Sequence, residues 1–135
     1  MFINQTKSVM SNAIKRYALE NEVNTNESQL LIFTKDDEGT PSYKVLKKYA
    51  PYKEVTFSEI LNKKIDFLQR EAIATPFIQQ SIMRLSKEQN VSPTEINVMI
   101  HLTGDKDVKL FLYVGHKLIK ELTFEYIFGE EENKQ

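Results

Sequence analysis

His101, His116, Asp105 and Asp107 are the side chains of this chain best suited to hold a metal or move a proton. Their spacing fits no metal-ligand motif. Asp105 and Asp107 fall in the turn Thr103 to Asp107 (TGDKD), where Asp serves local hydrogen bonding, and His116 falls in a different turn. The sequence contains no glycine-rich phosphate loop, nucleophile elbow, HExxH or dinucleotide fingerprint. It has no cysteine, which excludes thiolate catalysis, thiolate metal sites and disulfides. The expectation is a non-enzyme with no metal and no cofactor.

Two other groups have binding chemistry. The stretch 43–53 (YKVLKKYAPYK) interleaves Lys44, Lys47, Lys48 and Lys53 with Tyr43, Tyr49 and Tyr52, and holds no acid. Lysines neutralise phosphates and tyrosines stack on bases, which is what single-stranded nucleic acid requires. The same pattern also describes an edge strand guarded by lysines, and that plainer reading is preferred. The second group is Met99, His101, Lys109, Phe111 and Tyr113. Alternation places them on one face of a hairpin, either as an amphipathic, aromatic platform for a partner, a second subunit or nucleobases, or as a face covered by the protein's own helices.

The elements that position these groups follow from hydrophobic periodicity. Val9, Met10, Ala13, Ile14 and Tyr17 predict a helix over about 5–21, ended by the polar stretch 21–28. Residues 29–34 (QLLIFT) predict a buried strand. A turn over 35–41 leads to a second strand over 42–49, with Tyr43, Val45 and Tyr49 on one face and Lys44, Leu46 and Lys48 on the other, stopped by Pro51. Thr56-Phe57-Ser58-Glu59 has the form of a capping box and opens a helix to about Ala72, with Phe57, Ile60, Leu61, Ile65 and Leu68 as its stripe. Thr75-Pro76 restarts a helix that buries Phe77, Ile78, Ile82 and Leu85.

Ser92-Pro93-Thr94-Glu95 also has the form of a capping box, so residues 96–103 could be a helix closed by Gly104. Strict alternation of Ile96, Val98, Ile100 and Leu102, mirrored by Val108, Leu110, Leu112 and Val114, favours a hairpin with Leu102 opposite Val108. A third strand is expected over 117–128, and an acidic disordered tail over 129–135. No internal repeat and no long linker are evident. The resulting fold class is α+β, one domain over 1–128: a sheet of about five antiparallel strands with helices on one face. The order helix, two strands, helices, three strands resembles that of profilin-like and PAS-like domains.

The composition is consistent with that fold. One domain accounts for 135 residues, of which 41% are hydrophobic and 27% charged. A net charge of −1 predicts no global attraction to nucleic acid or to acidic partners. The first residues lack a signal-peptide pattern, and no apolar run approaches a membrane span. A cytoplasmic protein that engages no membrane is expected, in its own cell or as a virion or accessory protein in a host. The excess of lysine over arginine and the many Ile and Asn residues fit an AT-rich genome such as a phage's. The function expected is a protein-interaction or assembly module, of phage or mobile-element type, that forms a homo-oligomer through its sheet. Two alternatives stand beside it: single-stranded nucleic-acid binding by residues 43–53, and a small ligand-binding or enzymatic domain with a pocket between helices and sheet.

Overall fold

The computed structural model describes the backbone of residues 2–62, 67–104 and 107–128, and within these the side chains of 6–62, 74–104 and 107–128. Helix α1 (Phe2–Asn21) leads through a 3-10 turn (Thr25–Glu27) into strands β1 (Ser28–Thr34), β2 (Pro41–Lys47) and β3 (Ala50–Val55), then helix α2 (Phe57–Leu61). Helix α3 (Phe67–Gln89) leads through a second 3-10 turn (Pro93–Glu95) into β4 (Ile96–Thr103), β5 (Asp107–Val114) and β6 (Lys117–Leu122), then helix α4 (Phe124–Phe128). The six strands form one antiparallel sheet in the order β3-β2-β1-β4-β5-β6.

The α+β class stands, with six strands in place of five. The three-plus-three division departs from the profilin-like and PAS-like order. The additional strand is β3. Pro51 does not stop the chain there, because β3 is an edge strand and has no outer neighbour to receive the missing N–H. The second strand ends at Lys47, and Lys48 and Tyr49 turn the chain in left-handed conformation (φ 54° and 70°), so Tyr49 does not share a strand face with Val45.

Three further elements differ from expectation. Helix α2 spans a single turn past its Thr56–Glu59 capping box and closes at a left-handed Asn62. Its expected stripe residues Ile65 and Leu68 lie outside the residues whose side chains are described. Pro76 does not start a helix but lies inside α3. Its side chain faces solvent, while Ala74, Ile78, Ile82 and Leu85 hold the helix against the sheet by full burial. The last expected strand stops at Leu122, because the Thr123 hydroxyl accepts the Tyr126 N–H and starts α4. The hairpin β4–β5 has the expected register, with Leu102 opposite Val108, Ile100 opposite Leu110 and Val98 opposite Leu112. The expected tail, 129–135, lies outside the described residues.

The core fills the space between one sheet face and the helices. Leu30, Ile32, Val45, Val98, Ile100, Leu110 and Leu112 meet Met10, Ile14, Ile78, Ile82, Leu85 and Ile127, all nearly without exposure. Arg16 donates from Nη2 to the Glu59 and Ile60 carbonyls at 2.8 and 3.3 Å, tying α1 to the end of α2. Ser81 Oγ lies 2.8 Å from the Tyr126 carbonyl and ties α3 to α4.

The two halves repeat one plan, helix, 3-10 turn, three strands, helix, contrary to the expectation of no repeat. The pair Leu31–Met99 lies at the centre of the β1·β4 ladder and is carried onto itself by the repeat, which marks a pseudo-twofold axis through the sheet. Identical residues recur at a spacing of 68 (Ile14/Ile82, Arg16/Arg84, Glu20/Glu88, Val23/Val91, Glu27/Glu95, Ile32/Ile100), then of 67 (Lys53/Lys120, Glu54/Glu121, Thr56/Thr123, Phe57/Phe124, Ile60/Ile127). Structural devices recur with them. Left-handed Glu22 and Asn90 both end their helices at φ 58°. The ion pair Lys53–Glu20 at 3.3 Å has its copy in Lys120–Glu88 at 3.5 Å.

Candidate interaction face

Side chains alternate along each strand, so the residues between the core positions project from the other side of the sheet. None of the described elements crosses that side. Cross-strand pairing arranges its residues in three rows. Pro51, Leu46, Gln29, His101 and Lys109 form the first. Glu54, Lys44, Leu31, Met99, Phe111 and Glu121 form the second, through the pseudo-twofold axis. Ser42 and Phe33 on one side, and Asn97, Tyr113 and Leu118 on the other, form the third.

Met99, His101, Lys109, Phe111 and Tyr113 therefore share one face, as their alternation predicts. The first repeat contributes Leu31, Phe33, Leu46 and Tyr49, which the sequence reading did not assign to it. Leu46 and Met99 are closely shielded by their neighbours, Phe111, Tyr113 and His101 are half-buried, and Leu118 is 53% exposed.

Two forms of relief shape the face. Tyr49, His101 and Phe111 make an aromatic ridge, with ring centres 5.5 Å apart for Tyr49–His101 and 5.1 Å apart, edge to face, for His101–Phe111. Burial of the His101 ring lowers its pKa from the ordinary 6.5, so the neutral form is favoured. Beside the ridge, a trough of about 480 Å³ runs diagonally from Tyr49 and Pro51 to Gly115 and His116, with Leu31, Leu46 and Met99 along it. Lys44 lines it too, its ammonium 4.4 Å from the centre of the Phe33 ring.

Polar anchors fix both ends of the trough. Gln29 Oε1 accepts the Tyr49 N–H at 3.0 Å, and Asn97, its counterpart in the second repeat, donates to the Gly115 carbonyl at 3.3 Å. The backbone does the same: Lys48 N–H reaches the Glu27 carbonyl, and Gly115 N–H the Glu95 carbonyl.

The basic stretch is not gathered into one patch. Tyr43 is buried on the core side against Phe57, at 5.5 Å between ring centres. Lys53 also faces the helices, paired with Glu20. Lys44 lies on the open face, Lys47 ends β2, Lys48 and Tyr49 form the turn, and exposed Tyr52 lies on the edge strand. His101 and His116 belong to opposite ends of the sheet, Asp107 sits 3.7 Å from Lys7, and Asp105 is outside the described residues. Among the described residues no three His, Cys, Asp or Glu side chains converge on a metal position, and no helix is long and apolar enough to cross a membrane. No protein-family model matches the chain, no curated protein is significantly similar to it, and no solved structure matches its fold.

Proposed function

We propose that this protein is a non-catalytic protein-interaction module whose working surface is the open face of its sheet. The observation that carries this reading is the character of that face. It gathers partly exposed Leu31, Phe111 and Tyr113 and exposed Leu118 around Phe33, Leu46 and Met99, which their neighbours already shield, while the helices cover the opposite side. A small protein leaves few contiguous apolar patches of this kind in water, and Tyr, Phe and Met are enriched at interface centres. The separation of the two histidines supports a binding role over acid–base work. The division of residues 43–53 between two faces and an edge likewise favours a protein partner over a nucleic-acid strand, which needs a continuous basic track.

The test is site-specific photo-crosslinking in cells of the source or an expression host. A photoreactive side chain at exposed Leu118 should give adducts of defined mass, whereas one at exposed Asn12 on α1 should not. Absence of adducts from Leu118, or equal labelling at both positions, would remove the face as an interaction surface.

A further inference from the structure

We infer, resting on the interaction reading above, that the partner is a second copy of this chain, packed face to face so that the aromatic ridge of each lies in the trough of the other. Ridge and trough run side by side on the same surface. A twofold axis parallel to the two sheets exchanges them, so one face supplies both complementary shapes, the condition for an isologous dimer.

Three further observations select this occupant. The first is charge. The rows carry Lys44 and Lys109 beside Glu54, which Lys35 pairs at 2.7 Å, and Glu121, so the face intersperses both signs and a lysine of one copy can meet Glu121 of the other. The second is the sheet edges, the competing route to self-association. Tyr52 in β3 and Ile119 in β6 are each an extra residue opposite the neighbouring strand, a bulge at the same place in both repeats. Pro51 and Lys53 guard the first edge further, and Lys117 and Lys120 the second. Bulges, Pro and Lys oppose edge pairing, which leaves the face. The third is area. Six strands at about 4.8 Å spacing, over about five residues each, present roughly 500 Å² per copy. Two such faces bury about 1,000 Å², the lower bound for a specific interface.

The repeats also show where the two halves diverged. Identity is retained among core and helix-anchoring residues such as Ile32/Ile100 and Phe57/Phe124. On the open face Glu54/Glu121 is retained, but the apolar and aromatic positions differ: Phe33/His101, Lys44/Phe111, Leu46/Tyr113, Tyr49/His116 and Pro51/Leu118. The ridge therefore exists on one side of the axis only, and each trough accepts it in one direction.

Sedimentation equilibrium on the purified full chain tests this. At micromolar concentration the expected mass is twice the 15.8 kDa of one chain. Phe111→Glu should give single chains with an unchanged far-ultraviolet spectrum, and Asn12→Glu should leave the dimer intact. Should Phe111→Glu cost the fold, Leu118→Glu at an already exposed position should still weaken dimerisation at least tenfold. A one-chain mass at high micromolar concentration overturns the proposal, as does a dimer that withstands both face substitutions. A one-chain mass with Leu118 adducts in cells overturns the second copy but leaves the interaction face. A one-chain mass without adducts removes both.

Discussion

Held between Tyr49 and Phe111, with Lys109 opposite on β5, His101 has its pKa lowered by burial. Its unfolded counterpart takes up a proton first as pH falls through 6.5. The stability that neutral His101 contributes is fully present above that pH and declines as pH falls from 6.5 towards the lower folded value. Urea midpoints between pH 7 and pH 5 should fall less steeply in His101→Phe than in the unmodified protein; equal slopes would show that this ring does not titrate differently on folding. At Ser81 the hydroxyl reaches the Tyr126 carbonyl from α3 and is itself buried. Ser81→Ala removes that donor and should cost about 1–2 kcal/mol in chemical denaturation. Neither role was legible from residue type. The platform residues of the second repeat were, since Met99, Phe111 and Tyr113 alternate with unmistakable core residues. Their first-repeat partners were not, because β1 (QLLIFT) is apolar on both faces and period two gives no orientation there.

At the level of elements, the β4–β5 register was readable because two alternating runs flank a short polar turn, and pairing Leu102 with Val108 across it sets Ile100 opposite Leu110 on the same side. Ile100 is almost fully buried, so Ile100→Ala should lower stability by about 2–5 kcal/mol, through lost transfer energy and the cavity left behind. An unchanged unfolding midpoint would contradict its place in the core. Elements decided by tertiary context were misread. Pro51 and Pro76 are breakers by local rule, yet one occupies a sheet edge and the other the solvent side of a helix whose opposite stripe is buried. Gly39 shows a similar dependence on surroundings. It adopts φ +79°, and a Cβ there would stand 3.0 Å from Met83 Sδ and 3.3 Å from the Gln79 carbonyl. Gly39→Ala should therefore destabilise the β1–β2 loop by more than the roughly 1 kcal/mol that left-handed strain alone costs, measurable as a lowered melting temperature.

On the scale of the whole molecule, the tandem repeat sets the architecture, and its clearest trace was present in the chain as KEVTF at 53–57 and KELTF at 120–124. It was hard to see because identity elsewhere is sparse and the spacing changes from 68 to 67 between β1 and β3, which breaks a fixed-period comparison. The repeat makes paired predictions. Phe57 and Phe124 occupy equivalent buried positions at the start of α2 and α4. Phe57→Ala and Phe124→Ala should each cost about 3–5 kcal/mol and agree within about 1 kcal/mol. A large loss in one and none in the other would show that the halves no longer share their load.

The β1·β4 ladder at the pseudo-twofold axis also bears on the order in which the chain acquires its structure. Every other strand pairing joins neighbours in sequence, β1 with β2, β2 with β3, β4 with β5 and β5 with β6. Among the described strands only β1·β4 joins residues some 70 positions apart, Leu30 with Ile100 and Ile32 with Val98. Local hairpins close in microseconds, whereas a distant pairing must first overcome the entropy of closing a long loop. The two meanders should thus form early and their docking across the axis should come late, giving the relaxation a fast local phase and a slower, topology-limited one. In stopped-flow experiments Leu112→Ala, inside the second meander, should slow refolding. Two chains caught before docking would each offer the other the same unfilled seam, so rapid refolding at high concentration should yield a fraction of swapped dimers in which β1 of one chain pairs with β4 of the next.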